Sequence, residues 1–146
     1  MADGSAAKLY SPKLLALATS LADFPLNDSF ETYAEARSRT CGSRVKIGLS
    51  SAEGRISRVG MQVSACAVGQ SSAAIFAQGI QDTPISDLTI ALGQIERWLS
   101  EEGDLPDWPM IDALIPALPY SGRHEAVLLP WRAAIEALSS TGSSSY

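Results

Sequence analysis

The sequence predicts an α+β fold, a three-stranded antiparallel sheet with helices packed on one face. The first observation behind this is the hydrophobic period. It is about 3.6 near the N-terminus, drops to about 2 between Thr32 and Val63, and returns to about 3.6 from Ala65 onward. The second is the short turn Ser51-Ala52-Glu53-Gly54, set between two alternating runs. The third is the order of the elements, strands first and helices after, which separates α+β from alternating α/β folds.

Each element has its own signal. Ser11-Pro12 reads as an N-cap followed by proline at the first helical position. A helix follows to about Asp23 with Leu14, Leu17 and Leu21 on one face, and Pro25 stops it. Thr32 to Arg37 alternates as a first strand. In Arg44 to Leu49, Val45, Ile47 and Leu49 share one face, and Arg44 and Lys46 the other. Ser57 to Val63 alternates again, with Val59, Met61 and Val63 inward. Antiparallel strands of this pattern leave one face to solvent. Ala65 to Gly79 is the next helix, with Ser64 as its expected cap. Pro84 to Leu99 carries an apolar stripe of Leu88, Ala91, Leu92, Ile95, Trp98 and Leu99, which suits a core. An acidic loop (Glu101, Glu102, Asp104, Asp107) leads to a short helix near Met110–Ala117. A last helix spans about Arg123 to Leu138, with Pro130 inside it at the cost of a hydrogen bond. One domain over residues 1–138 and a flexible Ser-rich tail over 139–146 are expected.

Composition excludes several classes. At 146 residues and 46% hydrophobic content the chain can bury a core without a disulfide or metal staple. No apolar stretch reaches the roughly 18–20 residues of a membrane span. The net charge of −5 argues against non-specific nucleic-acid binding. That charge is uneven: residues 1–80 hold eight basic and six acidic side chains, residues 81–146 three and ten. Between Arg37 and Arg58 six basic residues face one acid, Glu53. Such a run is an ordinary solvated strand face, or a positive field around Cys41, which lies within it. Leu14–Ala18 imitates a signal peptide only faintly, because Asp3, Pro12 and Thr19 interrupt the pattern. With only two cysteines, a cytoplasmic protein with reduced thiols is the expectation.

The chemistry on offer is narrow. There is one histidine, His124, and no nucleophile elbow, Walker A loop or dinucleotide fingerprint. The cysteines carry more information. Cys41 precedes a strand between Arg39 and Arg44, which favour a thiolate, and Cys66 begins a helix, where unpaired N–H groups do the same. A hairpin between them returns the chain, so their sulfurs are expected within roughly 4–8 Å, a span one metal or small cluster can bridge. Cys41 is expected to be the more exposed and reactive of the two. The same spacing also suits two buried cysteines acting as small hydrophobes.

Thr40-Cys41-Gly42, the strand-turn-strand that follows, and Ser64-Ala65-Cys66-Ala67-Val68 resemble the IscU/NifU/SufU family of iron–sulfur cluster assembly scaffolds. Arg123-His124-Glu125-Ala126-Val127-Leu128-Leu129-Pro130-Trp131 resembles the family's last-helix motif. The likeness runs from about Tyr10 to Leu138. It implies a site for an iron–sulfur cluster, or a zinc or iron ion, built from three cysteines and one Asp or His. The first two family cysteines fall on Cys41 and Cys66. The family's aspartate is here Ser43 and its third cysteine is here Ala126. His124 is the neighbouring nitrogen donor, and tight zinc binding would require His124, Glu125 or a partner chain to complete the shell. The resemblance implies a binding and transfer protein without turnover, with a cysteine desulfurase and cluster-acceptor proteins as partners. Two absent ligands leave a protein with no stably bound metal as the expected state. The alternatives are an interaction or regulatory module that kept the fold but lost the metal site, and a zinc-binding sulfur acceptor for a cysteine desulfurase.

Overall fold

The computed structural model describes residues 11–39 and 42–139, so Cys41 and the Ser-rich segment after Ser139 lie outside the described residues. Helix α1 (Pro12–Ser20) starts as the sequence predicts, with Leu14 N–H donating to Ser11 Oγ at 3.3 Å and Pro12 in the first turn. Its C-terminal end tightens into a 3₁₀ turn over Leu21–Asp23. Leu14 and Leu17 are buried.

Strands β1 (Thr32–Arg37), β2 (Arg44–Ala52) and β3 (Arg55–Ser64) form an antiparallel sheet in the order β1-β2-β3. Val45 pairs with Val63, Ile47 with Met61 and Leu49 with Val59. Glu53 and Gly54 both take positive φ (55° and 78°) between the paired Ala52 and Arg55. That is the primed two-residue turn whose twist matches the flanking strands. β3 runs one residue past the predicted end, because Ser64 still pairs with Arg44.

Val45, Ile47 and Leu49 are fully buried beneath helices α2 (Ala67–Ile80) and α4 (His124–Ser139). The small residues of α2 explain its close packing. Ser71 and Ser72 are buried, and their hydroxyls donate to the carbonyls of Leu14 (2.8 Å) and Val127 (2.7 Å), tying α2 to both neighbouring helices. Buried hydroxyls satisfied in this way avoid the penalty of an unpaired polar group. Helix α3 (Asp87–Leu99) buries Leu88, Ala91, Ile95, Trp98 and Leu99 and packs on α4. It starts three residues later than predicted, after the turn in which Asp87 N–H bonds Pro84 O. The short helix is a 3₁₀ segment, Ile111–Ala117, with Pro116 inside it. Phe76, Trp108 and Trp131 form an aromatic cluster, with Trp131 edge-on to the other two rings at 5.3 Å. Gly79 makes room for it, since a Cβ there would lie 2.5 Å from Trp108 Nε1. Among the described residues no helix is long and apolar enough to cross a membrane.

The outer face of the sheet differs from the expectation of a fully solvated surface. Met61 N–H donates to Phe24 O at 2.8 Å, and the chain then crosses from the β3 edge to β1 over that face. The ring of Phe30 lies on the cross-strand pair Gly48 and Gly60. Tyr33 Oη donates to Asn27 O, and the Arg58 guanidinium covers the Phe30 ring at 4.5 Å while donating to Ser29. A Cβ on Gly60 would sit 2.5 Å from Pro25 O and 2.6 Å from the Phe30 ring. Gly60→Ala is therefore expected to destabilise the fold by about 1–3 kcal/mol, the ordinary cost of overpacking. Urea denaturation reads this directly, and an unchanged midpoint would contradict the crossing.

Candidate functional site

The site is built where β2 begins, β3 ends, and α2 and α4 start. Just beyond the terminal pair Arg37–Arg44, Ser38 N–H donates to Ser43 O and Ser43 N–H donates to Ser38 Oγ, both at 2.9 Å. Both serines are buried. This neck brings Ser38 and Ser43 together on either side of residues 39–42, of which Arg39 and Gly42 are described. Gly42 has φ 72°, a left-handed conformation that glycine adopts at little cost. The expected Cys41–Cys66 separation and the greater exposure of Cys41 involve a residue outside the described ones.

Cys66 is the N-cap residue of α2 and is half-buried. It takes the cap position expected of Ser64, because Ser64 is held in the sheet. Its carbonyl accepts Gln70 N–H at 2.9 Å. One turn on, Gly69 marks a point of convergence. A Cβ there would be 3.4 Å from Ala126 Cβ and 4.0 Å from Ser43 Oγ. Ser43 is 3% exposed and Ala126 1%. Ser43 and Ala126, which the sequence places where the scaffold family has ligands, thus meet against the first turn of the helix that Cys66 caps.

His124 begins α4 and is half-buried, and its Nε2–H donates to Leu118 O at 2.8 Å. That nitrogen is committed to the preceding turn. Its neighbour Glu125 accepts the backbone N–H of Arg39 on Oε1 at 3.0 Å, while Oε2 lies 3.6 Å from Arg132 Nη1. Arg44 and Arg37 share one carboxylate, Glu35, at 3.3 Å and 3.5 Å. Part of the positive field expected around Cys41 is thus neutralised locally, on strand ends beside the loop. Among the described residues no three His, Cys, Asp or Glu side chains gather as metal ligands. Ser43 is marked in the sequence only by the resemblance, and the roles of Ser38 and Gly69 carry no signal of residue type. The only available signal was their placement around Thr40-Cys41-Gly42 and one turn after Cys66.

No protein-family model and no curated protein sequence matches the chain. Solved structures do. A nitrogen-fixing NifU-like protein (N-terminal) from Brucella abortus superposes with a TM-score of 0.84 at 24% identity, covering 92% of this chain and 95% of that one. An iron–sulfur cluster assembly scaffold protein for the SUF system from the thermophile Fervidobacterium islandicum AW-1 gives 0.77 at 17% identity, covering 89% and 96%. Both superpositions cover nearly the whole of each chain. The chain has the NifU-like α+β fold shared by these proteins, a three-stranded antiparallel sheet packed against helices.

Proposed function

We propose that this chain is a divergent scaffold-like protein of iron–sulfur assembly. In this reading it handles sulfur or a single soft metal ion through Cys41 and Cys66, and does not hold a cluster with its own ligands alone. The observation that carries the reading is the convergence of Ser43 and Ala126 at the α2 turn begun by Cys66. By resemblance these are two of the family's ligand positions, and the side chains present there are poor ligands or none. A cluster is normally held by four good ligands, preferably thiolates. A neutral hydroxyl is a poor replacement for a carboxylate, and a methyl group cannot coordinate. The residues therefore do not fit a complete resident cluster or a closed four-ligand zinc site. Cargo would be held by two thiolates, with the remaining positions filled from a partner such as a cysteine desulfurase or a cluster acceptor. The chain itself would bind and pass on its cargo, without turnover, in the cytoplasm.

One observation favours a second reading, an interaction module that kept the fold and lost the site. Ser43 and Ala126 are both buried, as packing residues are. Iron, zinc and acid-labile sulfide analysis of protein purified without oxygen separates the readings. The expected result is far less than one cluster per chain, with any zinc removed by a mild chelator. One tightly held cluster or zinc per chain would overturn the first reading. Thiols that bind no soft metal at all would leave the module.

A further inference from the structure

We propose that the outer edge of β1 is an interface between two copies of this chain, which pair antiparallel with each Glu35 opposite the partner's Arg37. The proposal goes beyond the thiol reading and does not depend on it.

The two edges of the sheet differ. The outer edge of β3 is covered, with Met61 N–H donating to Phe24 O at 2.8 Å and Ile56 N–H to Thr83 O at 3.0 Å. β1 is the other edge. Just past its end Ser38 N–H donates to Ser43 O, which fixes the parity of the ladder. Counting back by twos, Ala36, Ala34 and Thr32 turn their backbone N–H and C=O groups toward β2. Glu35 and Arg37 therefore turn theirs outward, and no described residue pairs with them there. Burial falls along the strand in the same direction, from buried Thr32 and Tyr33 through half-buried Ala34, Glu35 and Ala36 to exposed Arg37. Such a row of outward backbone groups is a template for another strand.

The side chains point to a second copy as that strand. Proteins commonly blunt an edge with charge, above all lysine, and a single sign repels a like edge. Here the sign alternates: Glu35 and Arg37 lie on one face, 3.5 Å apart, and their side chains are 32% and 67% exposed. An antiparallel pair with its two-fold axis at Ala36 sets each Glu35 opposite the partner's Arg37. These are also the residues whose backbone groups face outward, so each pair can exchange two hydrogen bonds. The axis itself falls on a non-hydrogen-bonded position, where strands approach most closely, and alanine suits it. Registers centred on Glu35 or on Arg37 instead set that residue against itself, and like charges directly opposite are destabilising. The contact is isologous and closes at two copies, joining two three-stranded sheets edge to edge.

Sedimentation equilibrium of the full chain at low salt tests this, with amide hydrogen exchange followed on the same samples. The expected result is a concentration-dependent monomer–dimer equilibrium, with exchange at the Glu35 and Arg37 amides slowing as the dimer forms. Glu35→Arg and Arg37→Glu should each weaken the dimer by about tenfold or more, because like charges then meet at both symmetric positions. The combined swap, Glu35→Arg with Arg37→Glu, restores opposite charges and should return to within about threefold of wild type. Lys13→Glu, at an exposed position of α1, alters net charge as Arg37→Glu does and should change nothing. A chain that stays monomeric up to millimolar concentration would overturn the proposal. So would a dimer that ignores the single swaps or is not restored by the combined one, since its interface would lie elsewhere. Exchange in the wild type needs no variant, and Glu35 and Arg37 amides that show no protection in a dimer would also overturn it.

Discussion

Ser43→Asp combined with Ala126→Cys is expected to turn a weak zinc binder into a tight one, raising affinity on the order of 10³-fold or more. Structural zinc supplies about 10–16 kcal/mol shared over four ligands, so each restored anionic ligand adds on the order of a hundredfold. Both positions already face the first turn of α2, within 3.4 Å and 4.0 Å of a Cβ placed on Gly69. The apo form of the double variant is expected to be less stable than wild type. Ser43 is buried, and an aspartate there carries the desolvation cost of a carboxylate. Added zinc should reverse that loss, because a ligand that binds only the folded state raises its stability by mass action. Competition against a chromophoric chelator gives the affinity, and thermal denaturation with and without zinc gives the linkage. A double variant that binds zinc no better than wild type would show that the positions do not converge on one metal.

Trp131→Ala is expected to cost about 3–5 kcal/mol, a large share of the stability of a domain this size. The indole is fully buried and lies edge-on to Phe76 and Trp108, each at 5.3 Å, so its removal opens a cavity between α2, α4 and the Trp108 segment. The melting temperature should fall by roughly 10 °C or more. Its indole N–H has no hydrogen-bond partner among the described residues. Trp131→Phe therefore forfeits no bond of that kind and should cost well under half as much. Equal losses for the two substitutions would show that the indole nitrogen, rather than ring volume, carries the stabilisation.

The elements built on strong periodicity were legible from the residues alone. Val45, Ile47 and Leu49 announce β2, and the apolar stripe of α3 sits where its spacing predicts. The boundaries that moved did so for tertiary reasons. Ser64 stays in the ladder with Arg44, so the cap of α2 passes to Cys66. The crossing of the outer face had no periodic signal, because Phe24 to Phe30 is irregular. Its trace in the sequence was two glycines in strand interiors, Gly48 and Gly60, which often mark the close approach of another segment. At the site, Cys66 was visible by type, and the convergence of Ser43 with Ala126 was implied only by resemblance. The Arg39–Glu125 contact was not visible at all. A carboxylate that accepts a backbone N–H from 86 residues away leaves no pattern in residue type.

The central claim is that Cys41 and Cys66 act as one pair, and cadmium titration of the wild type, Cys41→Ser and Cys66→Ser tests it most directly. Two thiolates on one ion predict a single Cd²⁺ per chain. Either substitution should then weaken binding on the order of a hundredfold, the double variant should be little worse than either single one, and the charge-transfer band should fall with each loss. Independent, additive losses from the two cysteines, or full affinity retained by either single variant, would contradict the pairing and leave the protein with the fold alone.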